Sequence, residues 1–411
     1  MLEVHPFSCL FTENSLGEDE IVGSGVKKGV KVAVYHNVVA PYRIPLFEEL
    51  SKKVDLTVYF GRSKFEIRLW DVKYHRAFGH EILRDVGEFY LLSTINPTLP
   101  QRLLSGRFDI YVGADATLFG TQVAFLVSKF LRRPFILWTE ERDYSREDRL
   151  TLSKTLIYKA VKTLSTLVTL HSDACVALGR EAERRLRRLG VPRERIFVGP
   201  NAVPFMPLRA DFESADGDEA RRKFGIPENS RVILSLSYLR RVKGIQHLIL
   251  AFKRLRDERK DVILVIVGTG PYEKELKAVQ EKHNIPDILF VGYLPEEVKS
   301  VCFKMADIFV LPSLRDPWGL TINEAMICEK PIITTWDVGA KELVRDNGVI
   351  VPSGDEKKLY EAMARLLADE ARLREMGKKS WQYVKEYSIE KESEAFLAAI
   401  SYVEKAKTMK I

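Results

Sequence analysis

Two carboxylates, Asp316 and Glu324, stand with seven residues between them on either side of a loop-to-helix junction. An apolar run ends at Leu311, Asp316-Pro317 marks a turn, and helical periodicity begins near Trp318 and Gly319. The free amides of Gly319, Leu320 and Thr321 at a helix start form an anion site, and a glycine there lets a ligand come close to the backbone. A pyrophosphate on that helix end would be flanked by two acceptors suited to sugar hydroxyls. The plainer alternative is an ordinary Asp-Pro turn and a surface glutamate.

A lysine could supply the matching charge. Lys243-Gly244 falls between the apolar run 232–236 and a helical pattern, where an ammonium can meet a phosphate as a point charge. An exposed loop lysine is the competing reading. Gly268-Thr-Gly-Pro271 makes a tight turn after the run 262–267, and its glycines could admit a ligand. The Asp-x-Asp spacing at Asp216 and Asp218 reads as solvated linker, and no metal site is expected.

Such residues can act together only if strands deliver them to one edge. Short β-branched runs at 232–236, 262–267, 288–291, 308–311, 332–335 and 349–351 each precede a helical segment. One of these segments carries Ile245, Leu248, Ile249, Phe252 and Leu255; another carries Leu359, Met363, Leu366 and Leu367, with Asp355 placed to cap it. Runs at 32–35, 56–60, 89–92, 109–112, 135–138, 174–177 and 196–198 repeat the theme in the first half. Parallel neighbours need helical crossovers, so the expected fold class is α/β, with two Rossmann-like doubly wound parallel-sheet domains facing across a cleft. The segment 200–218, with Pro200, Pro204 and Pro207, breaks both periodicities and reads as the connection. The expected division is a flexible extension at 1–29, a first domain at 30–203, a second at 204–387 and a helix at 388–411 packing back on the first. Ligands bind at the carboxyl ends of such strands and between such domains.

Composition narrows the class. The 411 residues are 46% hydrophobic and 29% charged, enough for large cores. No apolar run approaches the roughly 18 residues of a membrane span, and residues 1–29 lack the pattern of a secretory signal. The four cysteines (Cys9, Cys175, Cys302, Cys328) show no CxxC spacing, which fits a reducing, cytoplasmic location. The net charge of +7 is concentrated, since residues 121–200 hold 16 Lys/Arg against 9 Asp/Glu, densest from Arg180 to Leu189. A solvated helix face with pairs such as Glu181–Arg185 is one reading, and an anionic membrane surface or anionic acceptor is another. Nucleic acid is disfavoured because no aromatics interleave the basic residues.

In combination, the chain resembles the group-1 (family 4) retaining glycosyltransferases. The resemblance is carried, in order, by Lys243-Gly244, the 268–271 turn, Val291-Gly-Tyr293, the strand leading to Pro312-Ser313, the Asp316 and Glu324 block, and the stretch from Thr334 to Glu342. It continues through 351–355 and 387–390 and touches the first half only at 40–47, 189–192 and 200–203. It implies the GT-B architecture and transfer of a sugar from a nucleotide-diphosphate sugar to a lipid-linked or saccharide acceptor, with retention and without a metal or other cofactor. Carried over, it implies that Lys243 neutralises the donor pyrophosphate, Asp316 contacts sugar hydroxyls and Glu324 contacts the ribose. The amides of Gly319, Leu320 and Thr321 would hold the distal phosphate, with Tyr293 beside the donor.

The chain also departs from the family pattern. Asp316 stands where Glu is usual, and Tyr238 stands where an arginine is common, leaving Arg240 or Arg241 to meet that phosphate. Residues 37–43 replace a Gly-Gly turn, so acceptor contacts are expected from Asn37 and Arg43, joined by His36, Glu140 and His171, the last with a capping role as its alternative. Rival functions are a sugar-nucleotide 2-epimerase, which would turn over donor alone, and a non-catalytic nucleotide-sugar-binding relative. The basic first domain suggests a peripheral position on the inner membrane face.

Overall fold

The computed structural model describes residues 29–63, 77–90, 93–140 and 152–408. Cys9 and residues 1–28 of the expected extension lie outside them.

The first domain opens with β1 (Lys31–His36), α1 (Ile44–Ser51), β2 (Asp55–Phe60), β3 (Gly79–Ile82), β4 (Glu88–Tyr90), β5 (Ser93–Thr94) and α2 (Leu99–Ser105). It continues with β6 (Ile110–Ala114), α3 (Phe119–Phe130), β7 (Phe135–Thr139), α4 (Leu152–His171), β8 (Ala174–Leu178), α5 (Arg180–Leu189) and β9 (Ile196–Gly199). Seven of these strands form one parallel sheet, ordered β3-β2-β1-β6-β7-β8-β9. Strands β6, β7 and β8 are buried along their whole length, as strands covered by helices on both faces must be.

The second domain runs α6 (Phe205–Ser214), α7 (Gly217–Lys223), β10 (Arg231–Leu236), α8 (Ile245–Glu258), β11 (Val262–Val267), α9 (Glu273–Lys282) and β12 (Ile288–Gly292). After these come α10 (Glu296–Met305), β13 (Ile308–Leu311), α11 (Leu320–Ile327), β14 (Ile332–Thr335), β15 (Gly348–Val351), α12 (Glu356–Leu367) and α13 (Glu370–Val384). Its parallel sheet is ordered β12-β11-β10-β13-β14-β15. In each sheet the first strand lies between strands reached in opposite directions, the switch point where a crevice opens. The last helix, α14 (Ile389–Thr408), returns to the first domain, where Phe396 packs edge-on to Trp138 at 5.1 Å between ring centroids and Ile400 and Val403 join the same core.

Three expectations change. The run 89–92 does not join the main sheet: β4 pairs antiparallel with β5, residues 91 and 92 lie outside the described set, and the edge strand is β3. Its sequence, Gly-His-Glu-Ile, is short and polar and so carries no alternation to read. The connection 200–218 is largely helical. Pro204 caps α6 and Pro207 falls in its first turn, where a missing N–H costs nothing, while Asp216 caps α7 by accepting from the amides of Asp218 and Glu219. Finally, β14 and β15 are joined by a 3-10 turn at Gly339–Leu343 rather than by a full helix. Asp355 caps α12 as expected, accepting from the Lys358 amide.

Candidate active site

On the second domain, the loops after β10 and β13 are locked together. The Leu314 amide donates to the Val242 carbonyl at 2.8 Å. Gly244 adopts φ +68°, and a Cβ there would collide with the Pro312 carbonyl, so only glycine lets these loops touch. The Asp316 amide donates to the Asp337 carbonyl at 3.0 Å and the Gly339 amide donates to the Asp316 carbonyl at 3.1 Å, which buries Asp316. These constraints bring the Lys243 ammonium to the Asp316 carboxylate, with Nζ donating to Oδ2 at 2.5 Å. Arg241 is exposed in the same 3-10 turn as Lys243, and Arg240 is exposed just before it.

Gly319, at φ +94°, caps α11, so the amides of Leu320 and Thr321 open the helix without intrahelical partners. Glu324 lies farther along the same helix, largely buried, with Oε1 3.5 Å from Lys299 Nζ on α10. That lysine had no sequence signal. Tyr293 follows β12 at the same edge of the sheet and is exposed.

On the first domain, Arg43 is buried although charged, stacked 4.8 Å from the centroid of Trp138. Its Nη1 donates to Glu392 Oε1 at 2.9 Å, and its Nη2 stands 3.6 Å from Glu140 Oε2. Glu140 follows β7 at its carboxyl end, and its side chain is 42% exposed. Burial raises its carboxyl above the ordinary range; Arg43 opposes this, Asp115 and Asp316 add to it, and the Asn201 hydrogen bond opposes it. His36 is buried at the end of β1 with Nδ1 2.8 Å from the Val38 carbonyl, and Asn37, half-buried, follows it at the same edge. The structure removes His171 from this group. It ends α4 before the amino end of β8, the edge away from the cleft, and its ring bonds the Leu167 carbonyl in a capping role.

The two domains meet across specific contacts. Glu342 reaches over to accept from the Arg180 amide at 2.8 Å, capping α5 of the other domain, and Lys341 stands 3.3 Å from Glu181. Trp318 lies on Gly179, where any Cβ would strike its ring. Burial raises the Glu342 carboxyl, with the Arg180 amide and charge opposing. Of the residues in these contacts, Lys341, Glu342 and Trp318 sit in motifs the sequence singles out and Arg180 and Glu181 in its basic run, whereas Gly179 lies in none. Glu392 lies in a helical segment with nothing in its local pattern to mark it, whereas Asn201 and Asn323 lie within the stretches 200–203 and 316–324 that carry the resemblance without being singled out there. In the basic helix α5, Arg185 is buried, while Arg180, Arg184, Arg187 and Arg188 are exposed.

Residues 216–382 match the family described as Glycosyl transferases group 1. The chain is 27% identical over 258 residues to N-acetyl-alpha-D-glucosaminyl L-malate synthase of Bacillus anthracis, covering 57% of this chain and 66% of that one. It is 31% identical over 192 residues to a GDP-mannose-dependent monoacylated alpha-(1-6)-phosphatidylinositol monomannoside mannosyltransferase of Corynebacterium glutamicum, covering 45% of this chain and 49% of that one. The matches thus span about half to two thirds of these relatives' lengths. Among solved structures, Anabaena Alr3699/HepE in complex with UDP and glucose superposes with a TM-score of 0.68 at 16% identity, covering 93% of this chain and 99% of that one. The structure of WaaG, a glycosyltransferase involved in lipopolysaccharide biosynthesis, superposes at 0.69 and 16% identity, covering 89% and 99%. Residues 216–382 are thus similar to the group 1 glycosyltransferases, and the two facing parallel sheets share the GT-B fold of these solved structures.

Proposed function

We propose that the protein transfers a sugar from a nucleotide-diphosphate sugar to a saccharide or lipid-linked acceptor, retaining the anomeric configuration. One observation carries the reading: hydrogen bonds lead from Trp318, beside the helix start next to the Lys243–Asp316 pair of one domain, through Asn323 and Asn201 to Glu140, the partner of Arg43 in the other. Two chemistries therefore share one space. An epimerase working on donor alone would leave the Arg43–Glu140 pair, on the acceptor side, without a purpose.

In the proposed reaction the bond between the sugar C1 and the diphosphate oxygen breaks, and negative charge grows on the diphosphate. Lys243 and the amides of Gly319, Leu320 and Thr321 stabilise that charge, each well-aimed donor contributing about 3 kcal/mol. The acceptor hydroxyl oxygen bonds C1 on the face the diphosphate leaves, and its proton passes to the departing phosphate. Glu140 and Arg43 orient the acceptor, Asp316 holds sugar hydroxyls, and Glu324 and Tyr293 serve the nucleoside. No step calls on a metal. The relatives support a nucleotide-sugar donor but differ in base, UDP in the HepE complex and GDP-mannose in the name of the Corynebacterium enzyme.

We further propose that this chemistry takes place in the cytoplasm at an anionic membrane surface. No helix among the described residues is long and apolar enough to cross a membrane, while α5 exposes Arg184, Arg187 and Arg188. A thermal-shift series with UDP- and GDP-sugars tests the central claim, because a ligand at 100 times its dissociation constant adds about 2.7 kcal/mol of stability. The anomeric configuration of the product, read by NMR, tests retention. Failure of every nucleotide sugar to stabilise the protein would overturn the reading.

A further inference from the structure

Three hydrogen bonds run unbroken from the donor-side helix to the acceptor-side carboxylate. Trp318 Nε1 donates to Asn323 Oδ1 at 2.9 Å, Asn323 Nδ2 donates to the Asn201 carbonyl at 3.1 Å, and Asn201 Nδ2 donates to Glu140 Oε2 at 2.9 Å. Trp318 immediately precedes Gly319, and Asn323 lies in the first turn of α11. Asn201 lies in the crossing between the domains, just past β9, and the neighbouring Ala202 amide donates to Glu392. Both asparagines are 0% exposed.

The Asn201 amide shows which way the chain is set. Its Oδ1 is buried with no hydrogen-bond partner, an uncommon state for a buried acceptor. Turning the amide over would set that oxygen against the Glu140 carboxylate, which also only accepts when ionised. The charge on Glu140 thus holds the amide in place, and a proton on Glu140 removes the reason for that orientation. Because the network is buried, a change at one end is not relieved by water and must be passed along it.

We infer that Asn201 and Asn323 are positioning residues that tie the acceptor-side carboxylate Glu140 to the donor-side helix, so that occupancy of the helix start is felt at Glu140. The purpose of the link rests on the proposed transferase reading, whereas the link itself can be read without substrate. The other charged groups acting on Glu140 are Arg43, from the turn before α1, Asp115, after β6, and Asp316, and Glu392 on α14 shares Arg43 with it.

The test follows the Trp318 indole N–H resonance of the full 15N-labelled chain against pH, assigned with Trp318→Phe. It uses a Glu342→Gln background, because Glu342 shares the Gly179 surface with Trp318. The indole signal should titrate with a midpoint above that of an ordinary glutamate. The titration should vanish in Glu140→Gln, in Asn201→Ala, which leaves the Asn323 bond to the backbone intact, and in Asn323→Ala, which removes both bonds that this asparagine makes. A signal that does not titrate, or that titrates unchanged in these variants, overturns the inference. Added UDP, the probe for the donor site, should move the midpoint in the parent protein, while Asn323→Ala with UDP bound should still show no titration. Bound UDP with an unmoved midpoint also overturns the inference. If UDP fails to bind while the ligand-free titration behaves as stated, the uridine donor reading fails and the link stands.

Discussion

Lys243 Nζ and Asp316 Oδ2 stand 2.5 Å apart, so the cation proposed to meet the diphosphate and the carboxylate proposed to meet the sugar are partners in the free protein. The pair fixes a flexible lysine side chain in place and keeps it largely screened from water, the kind of preorganisation that makes a charge effective in a transition state. On the proposed reading, a donor entering the cleft draws the ammonium toward its phosphates and releases Asp316 to meet hydroxyls.

Lys243→Ala should therefore lower turnover at least about 100-fold at saturating donor, with an unchanged fold by circular dichroism. A near-normal rate would show that the lysine serves only as the partner of Asp316.

The two carboxylates should separate in binding experiments. Glu324 is held near Lys299 at 3.5 Å and is assigned to the ribose, so Glu324→Gln should weaken binding of free nucleoside diphosphate. Asp316→Asn frees Lys243, so nucleoside-diphosphate affinity should hold or rise while use of the sugar donor falls. Calorimetry on both variants decides it, and equal losses of affinity would mean the roles are misassigned.

The sequence made the second domain legible because its strands are short β-branched runs and its site residues follow them directly. Lys243, Asp316 and Gly319 could be placed at one sheet edge before any contact was known, and the structure brings all three there. The first domain was harder for a physical reason. Its edge strand β3 is polar, and Arg43 and Glu140 gain their setting from Glu392, 349 residues beyond Arg43 in sequence. His171 misled because a histidine near a strand could lie at either end of it, and only topology says which end faces the cleft. The segment 200–218 misled because three prolines look like a break, although two of them flank or open a helix.

The Arg43–Glu392 contact makes stability depend on pH in a stated direction. Glu392 is fully buried, its Oε1 accepting from Arg43 and its Oε2 from the Ala202 amide, and Arg43 is shared with Glu140. Burial pushes its carboxyl from 4.5 up to about 7, with Arg43 and the Ala202 amide opposing and Glu140 adding. The folded state thus keeps a proton that the unfolded chain has given up, so this contribution is whole below about pH 4.5 and is lost as pH rises through about 7. Urea unfolding across that window should show a fall in stability that Glu392→Gln flattens. Parallel curves for the parent protein and the variant would place the proton elsewhere.

Membrane attachment is the prediction most altered by the structure. Arg185 of α5 is buried and so is lost to a membrane surface, and Arg180 has its amide engaged by Glu342 of the other domain, which leaves Arg184, Arg187 and Arg188. Each basic residue near an anionic surface contributes about 1 kcal/mol, which makes three of them marginal on their own. Apolar side chains can add to this, and the first domain exposes Phe130, 79% accessible, and Leu126 on α3, with Leu164 and Leu167 on α4. We predict co-sedimentation with vesicles containing anionic lipid and not with neutral ones. Replacing the three arginines with Gln should abolish binding, as should about 0.5 M salt, which shortens the screening length well below its physiological value of about 8 Å. Phe130→Ser should weaken binding without changing its salt dependence, because it removes inserted surface and no charge. Binding indifferent to lipid charge, or none at low salt, would remove the membrane surface from the proposal and favour a soluble acceptor.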